Sequence, residues 1–282
     1  MVECEIKKEK ESPPTLHNIT SLQIEMNKKY GYTANETMEM AQRLYEEYKI
    51  LSYPRTPSKY MSEEDYGYFI KQYTRVVNKH NEIETILVNV DNKNVFDNKK
   101  VEDHHALITI GEADVKEKIG QDIIKEIEER MILSVKRDNE YSTTTVRILM
   151  QESRKKFKAT IKKQTHTGWK KIQENEDDIE KDEVGNNIQG LVEGMRIEVK
   201  EEVYKEHETT KPKQHTEATL LAYLEQRGIG TPATRAGIIE QVIKRKCIRR
   251  HGKNIEMTEE GLEYIDVIEK SEIGRASCRE RV

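Results

Sequence analysis

The spacing of apolar residues changes twice along this chain of 282 residues, and the change limits the folds open to it. From about residue 20 to residue 133, apolar side chains recur every three or four positions, which places them on one face of a helix. Leu22, Met26 and Tyr30 make one such stripe. Met38, Ala41, Leu44, Tyr45 and Tyr48 make a second, and Tyr66, Phe69, Tyr73 and Val76 a third. Ile123, Ile127 and Met131 predict a helix over Lys118 to Leu133. The period then drops to two. Thr144, Val146 and Ile148 alternate with Thr145, Arg147 and Leu149, and Phe157, Ala159 and Ile161 alternate with lysines and Thr160. Ile197 and Val199 alternate with Glu198 and Lys200. These stretches predict antiparallel strands with one wet face. After residue 216 the helical spacing returns. The expected class is a mixed α+β fold, mainly helical.

Local signals set the element ends. Residues Met1 to Pro14 are charged, close on Pro13-Pro14, and predict a linker or an entering strand. Thr20 is the expected cap of the first helix, and Gly31 its stop. Thr33-Ala34-Asn35-Glu36 has the form of a capping box, and Ser62-Glu63-Glu64-Asp65 resembles a further cap. A helix from Thr216 ends at Gly228. Thr231-Pro232 then predicts a cap followed by proline at the first helical position. The next helix carries Ile238, Ile239, Val242 and Ile243, followed by a basic segment with Gly252 and a helix from Thr258. Helix, turn, helix and basic hairpin fit either a winged helix, a common nucleic-acid reader, or a plain helical bundle.

Composition excludes several classes. No apolar run approaches the roughly 18 residues that a membrane-crossing helix needs. Met1 to Lys8 lack an apolar signal core, so a cytoplasmic location is expected. Cys4, Cys247 and Cys278 suit a reducing compartment and have no zinc-ligand spacing. The net charge of −4 weakly opposes nucleic-acid binding in bulk, but its distribution is uneven. Acid gathers in Glu174 to Glu183, which reads as a solvated loop. Base gathers in Arg154 to Lys158 and in Lys244 to Lys253, either an ordinary wet face or a phosphate contact. The letters from Glu272 to Val282 match an in-frame translation of a sequencing-library adapter. The native chain is therefore expected to stop near Ser271. Without those residues, which hold three arginines and two glutamates, the net charge moves from −4 to −5.

The run Ser52-Tyr53-Pro54-Arg55-Thr56-Pro57-Ser58-Lys59-Tyr60 carries the chemistry. A residue before proline is pushed toward extended backbone, so Tyr53 leaves the helix on a non-helical segment. A phenol oxygen, a guanidinium two residues on, and the hydroxyls of Thr56 and Ser58 form a kit for attack on a phosphodiester. Taken alone, Tyr-Pro-Arg is more often a turn with its ring in the core.

Further runs tip that balance. Together with Asp103-His104-His105-Ala106-Leu107-Ile108, Thr216-Glu217-Ala218-Thr219-Leu220 and Gly228-Ile229-Gly230-Thr231-Pro232-Ala233-Thr234-Arg235-Ala236, the tyrosine run resembles the type IA DNA topoisomerases, bacterial topoisomerase III in particular. Pro14 to Tyr48 and Gly168-Trp169 match the connecting segments, so the resemblance covers nearly everything from Val2 to Ser271. It implies cleavage of one DNA strand through a 5′-phosphotyrosine, strand passage and resealing without ATP. By its motifs, Tyr53 is the nucleophile, Arg55 lies beside the scissile phosphate, and His104 hydrogen-bonds near it. Thr56, Ser58, Thr231, Thr234 and Arg235 belong to the DNA-binding segments. His105 has no assigned role, and the chain's own pattern offers no metal ligands. Two departures stand out: Pro57 replaces a usual acidic residue or cysteine, and Thr109-Ile110 replaces a common Pro-Thr.

The resemblance also implies an organisation. Residues 1–19 would enter a hinge domain as linker or strand, and 20–135 would form a helical domain bearing the tyrosine. Residues 136–206 would complete the β-rich hinge, 207–271 would be a winged-helix-like part of the base, and 272–282 a non-native tail. The family holds Mg²⁺ in an N-terminal Toprim domain, whose Asp-x-Asp pattern does not precede Tyr53. The expectation is therefore a monomeric piece that handles single-stranded DNA, has no membrane partner, and is inactive without Toprim in cis. The alternatives are a non-catalytic single-stranded DNA-binding protein derived from the same core, or a helical protein that binds nothing.

Overall fold

The computed structural model describes residues 2–80, 88–101, 103–150, 155–170, 193–198, 204 and 206–270. The acidic stretch 174–183, Val199 and the tail 272–282 lie outside the described residues. The fold is mixed α and β, with antiparallel sheets. It divides into two compact units, residues 1–13 with 136–210 and residues 14–135 with 211–282. The regions expected as a separate helical domain and a C-terminal domain thus lie in one unit.

Among the described residues, the smaller unit contains a three-stranded antiparallel sheet. Strand β1 (Val2–Glu11) pairs with β2 (Asn139–Leu149) from Val2↔Ile148 to Glu11↔Asn139, and β2 pairs with β3 (Lys156–His166). The charged N-terminal stretch is therefore an edge strand rather than a linker. Gly168 follows β3 at a close approach, because a Cβ there would lie 2.3 Å from the carbonyl oxygens of Arg137 and Asp138. Its N–H donates to the buried Asn139 Oδ1 at 2.6 Å, and Trp169 Nε1 donates to the Glu11 carbonyl at 3.1 Å. The alternation of β3 predicted one dry face, yet Phe157 is 45% exposed and Ile6 on β1 is 65% exposed. Ile197 lies in irregular backbone, not in the expected strand.

The larger unit contains helices α1 (Ile19–Tyr30), α2 (Ala34–Glu46), α3 (Tyr66–His80) and α4 (Lys118–Ser134). Their stripes meet in one core around Leu22, Met26, Leu44, Phe69, Ile123 and Ile127. The cap of α1 is Asn18, not Thr20: its side chain accepts from the Ser21 N–H at 2.8 Å, and Ser21 answers with a reciprocal bond. Thr20 sits inside the first turn, where its hydroxyl serves another segment. Gly31 ends α1 at φ +81°, a left-handed conformation that glycine adopts without steric penalty. Thr33 and Glu36 form the capping box of α2.

This unit also contains α5 (Glu217–Gln226), α6 (Arg235–Lys244), an antiparallel hairpin of β4 (Ile248–His251) and β5 (Asn254–Met257), and α7 (Glu259–Lys270). Thr216 caps α5 as expected. Pro232 is not at the first position of α6. It lies in a turn in which the Thr231 carbonyl accepts from the N–H groups of Thr234 and Arg235, and regular helix begins at Arg235. Leu221, Leu224, Ala236 and Ile239 pack with Ala34 in a second small core. The Ala34 N–H at the start of α2 donates to the buried Glu217 carboxylate at 2.7 Å. Cys4 and Cys247 are free thiols. Among the described residues, no helix is long and apolar enough to cross a membrane.

A charged cluster lies beneath these helices. Fully buried His17 donates from Nε2 to Glu126 at 3.4 Å and accepts at Nδ1 from the Ser21 hydroxyl at 3.0 Å. Lys29 reaches the same carboxylate at 2.6 Å, and Arg130 lies 3.8 Å away. Burial drives the His17 imidazole down from 6.5 to about 4, against the upward pull of Glu126. Burial pushes the Glu126 carboxyl up, but its hydrogen bonds from His17 and Lys29 outweigh this and hold it below the ordinary value. Between pH 6.5 and 4 the unfolded chain therefore binds a proton at His17 that the folded chain refuses. Stability from this residue is fully present above pH 6.5 and falls as pH drops toward 4, by roughly 3 kcal/mol in all. Urea titrations of the wild type and His17→Asn across this window should show a steep loss in the wild type and a flatter profile in the variant.

Candidate active site

Two short segments pair to present the tyrosine. Ser52 N–H donates to the Ile108 carbonyl at 3.0 Å and Ile110 N–H to the Ile50 carbonyl at 2.8 Å, with Leu51 opposite Thr109 in an antiparallel bridge. The buried Ser52 hydroxyl donates to the Ala106 carbonyl at 3.2 Å and accepts from Ile108 N–H at 3.0 Å. Beyond the tyrosine, the buried Thr56 hydroxyl donates to the His104 carbonyl at 3.1 Å and accepts from Ser58 N–H at 3.1 Å. Tyr53 is held between these two clamps. Its ring lies 4.3 Å from that of His104, centroid to centroid, and meets the edge of Tyr45 at 5.6 Å. The tyrosine is half-buried, while Arg55 and His104 are exposed. Tyr53 shares a cavity of about 370 Å³ with His104, His105, Ser62, Asp65 and Asp103.

The sequence-predicted residues separate into two kinds. Tyr53 and His104 come together at the surface, and Arg55 stands exposed two residues beyond the tyrosine. Thr56 and Ser58, expected on DNA, are 0% and 4% exposed. Their hydroxyls are engaged by the fold, Ser58 donating to the Tyr60 and Lys100 carbonyls. Thr231 and Thr234 stand exposed in the turn before α6, hydroxyl to hydroxyl at 3.1 Å. Arg235 faces inward, only 7% exposed. Its guanidinium donates to the Ile229 carbonyl at 3.1 Å, the Gly230 carbonyl at 3.4 Å and the Thr20 hydroxyl at 3.0 Å. Burial lowers its pKa, and Glu225 at 3.7 Å partly offsets this. A group so placed cannot reach a strand without leaving its partners.

Sequence reading missed the residues that join these segments. The His17 carbonyl accepts from Leu107 N–H at 2.8 Å, Asn18 Nδ2 donates to the Pro57 carbonyl at 2.9 Å, and Thr20 accepts from Arg235. Pro57, which has no N–H of its own, enters the site through its carbonyl. Arg75, also unforeseen, holds the carbonyls of Thr109 and Gly111 at 2.9 and 2.8 Å. Ser52 adjoins the tyrosine in sequence, but its double role shows only once segment 106–108 lies opposite.

Comparisons with known proteins give the family. The sequence profile described as DNA topoisomerase matches residues 1–282, and the chain belongs to that family, as a member of its type IA class. The relatives with which it aligns are DNA topoisomerase 3 proteins. One from Bacillus cereus is 32% identical, over 95% of this chain and 40% of the relative. One from Pasteurella multocida is 31% identical, over 93% of this chain and 43% of the relative. In fold, the chain resembles full-length topoisomerase I from Thermotoga maritima at a TM-score of 0.62 and 20% identity, over 95% of this chain and 44% of that one. The chain thus spans less than half the length of the relatives it matches.

Replacing Thr56 by valine keeps the shape and removes the hydroxyl. The His104 carbonyl and Ser58 N–H then lose a partner, at an expected cost of about 1–3 kcal/mol in urea unfolding. The contact between the Tyr53 and His104 rings should loosen with it, visible as a change in the His104 ring-proton shifts. Unchanged stability and shifts would remove the clamp from this account.

Proposed function

We propose that this chain carries the strand-cutting nucleophile of a type IA DNA topoisomerase. The observation that carries the reading is the packing of Tyr53 on His104, on two paired segments, with Arg55 exposed two residues after the tyrosine. In the proposed step the Tyr53 oxygen attacks the scissile phosphorus. The bond to the 3′-oxygen breaks as the tyrosine–phosphorus bond forms, leaving a 5′-phosphotyrosine. The phenol gives up its proton, and the leaving 3′-oxygen takes one from the acid that the resemblance assigns to Toprim. With a pKa near 10, a free phenol is only about 0.1% ionised at pH 7. Cationic Arg55 stabilises the charge that develops on phosphate oxygens, to which the His104 ring donates a hydrogen bond. One phosphodiester is exchanged for another, so resealing needs no ATP.

Thr231 and Thr234 offer exposed hydroxyls to the single strand, whereas Thr56, Ser58 and Arg235 position the segments that touch it. Residues 1–19 and 136–206 are proposed as the hinge, 20–135 as the tyrosine-bearing domain and 207–271 as the winged-helix-like part of the base, in a monomer. The family's Mg²⁺ does not fit the described residues, among which no group of three or more His, Cys, Asp or Glu is arranged to hold a metal. Glu126 is engaged by His17 and Lys29, and Glu128 by Lys79 and His80. No step here is routed through the metal.

A single-stranded oligonucleotide with 3′-bridging phosphorothiolates tests the reading. A thiolate leaves with little need of an acid and reseals poorly, so the covalent adduct should accumulate with the wild-type chain and be absent with Tyr53→Phe. Binding without any adduct would favour the non-catalytic DNA-binding reading. With Mg²⁺ and supercoiled DNA the chain by itself should show no relaxation, and robust turnover would overturn that expectation.

A further inference from the structure

We infer that the cavity beside Tyr53 receives the base of the nucleotide on the 3′ side of the cut, and that it prefers a base with an exocyclic amino group to thymine. The inference rests on the reading of Tyr53 as nucleophile. At about 370 Å³ the cavity is at the lower end of the roughly 300–1,000 Å³ of small-ligand sites, room for one nucleoside. Its polar lining is rich in hydrogen-bond acceptors. Asp65 and Asp103 bring carboxylates, which as anions have no proton to give. The Ser62 hydroxyl donates its hydrogen to Asp65 at 2.7 Å. His105 Nδ1 lies 2.8 Å from the Ala106 carbonyl, which can only accept, so the Nδ1 proton is already engaged there.

Two carboxylates repel phosphate, so the cavity is left to the base. In a single strand the pairing edge is free. Cytosine and adenine offer an amino group there, and guanine an amino group and a ring N–H. Thymine offers one N–H between two carbonyl oxygens, which would face the carboxylates. The nucleotide concerned follows from the chemistry. A 5′-phosphotyrosine ties Tyr53 to the nucleotide on the 3′ side. The cavity is built from the two segments that hold Tyr53 and from the residues that open α3, so it stays beside that nucleotide in the covalent state.

The test titrates the chain with the 5′-phosphorylated trinucleotides pCTT, pATT, pGTT and pTTT, read by NMR at backbone amides and histidine rings. The first three should bind about tenfold more tightly than pTTT, toward the lower end of what one good base contact gives, and should shift His105 and Asp65. Asp65→Asn and Asp103→Asn should each shrink the ratio toward one, because a carboxamide can also donate to thymine. Unshifted signals in the core would show that the variants fold. Equal affinity for all four, or tighter binding of pTTT, with shifts at Tyr53 and His104, would overturn the base preference and leave the nucleophile standing. If no trinucleotide shifts Tyr53 or His104, both readings fall.

Discussion

The first turn of α1 is tied to the three segments that carry the site. Within four residues, the His17 carbonyl holds the histidine segment, Asn18 holds the Pro57 carbonyl in the tyrosine segment, and Thr20 holds Arg235 at the start of α6. The turn can do this because its own donors are satisfied by the Asn18–Ser21 box. It is anchored from below by His17 on Glu126, in a dry setting where an unpaired charge would be costly. Loss of that anchor would reach Tyr53, His104 and the Thr231–Thr234 turn together, although none of them touches Glu126 in the bonds described.

Presentation of the tyrosine follows the same logic. A nucleophile must be exposed enough to meet its phosphate and fixed enough to meet it in line. Here the fixing is done by neighbours, Ser52 on one side and Thr56 on the other, so the phenol of Tyr53 is not itself a clamp, as its proposed role requires. The hydroxyls that look best suited to bind phosphate in the sequence are the ones the fold engages. Arg235 follows the same rule: a guanidinium in a run of small residues and threonines serves as a clamp because its planar fork can hold two carbonyls and a hydroxyl at once.

Helices were legible in the sequence wherever an apolar stripe coincided with a cap, as at Thr33–Glu36 and Gly31. They were misplaced by a turn's fraction where two hydroxyl or amide residues competed for the cap, as at Asn18 and Thr20, or where a hydrogen-bonded turn delayed regular helix, as at Pro232. Period two correctly foretold β2 and β3, but alternation alone does not say what covers a strand, and Phe157 remains half open. Tyr53, Arg55 and His104 stood out in the sequence because the chemistry proposed for them is carried by side chains. Ser52, Asn18 and Arg75 were not, because their role lies in bonds to backbone carbonyls distant in sequence, and a carbonyl leaves no mark in the letters.

The hairpin of β4 and β5 shows how far linear charge can mislead. Its basic run is met by acids: Arg249 and His251 both reach Glu256, and Arg250 reaches Glu217 and Glu240. Cations already neutralised by protein carboxylates displace few condensed ions from a nucleic-acid strand, and it is the entropy of those freed ions that drives much of such binding. The hairpin's pull on a polyanion is therefore weaker than its sequence suggests, and Arg250 acts as a rivet that joins the hairpin to α5 and α6.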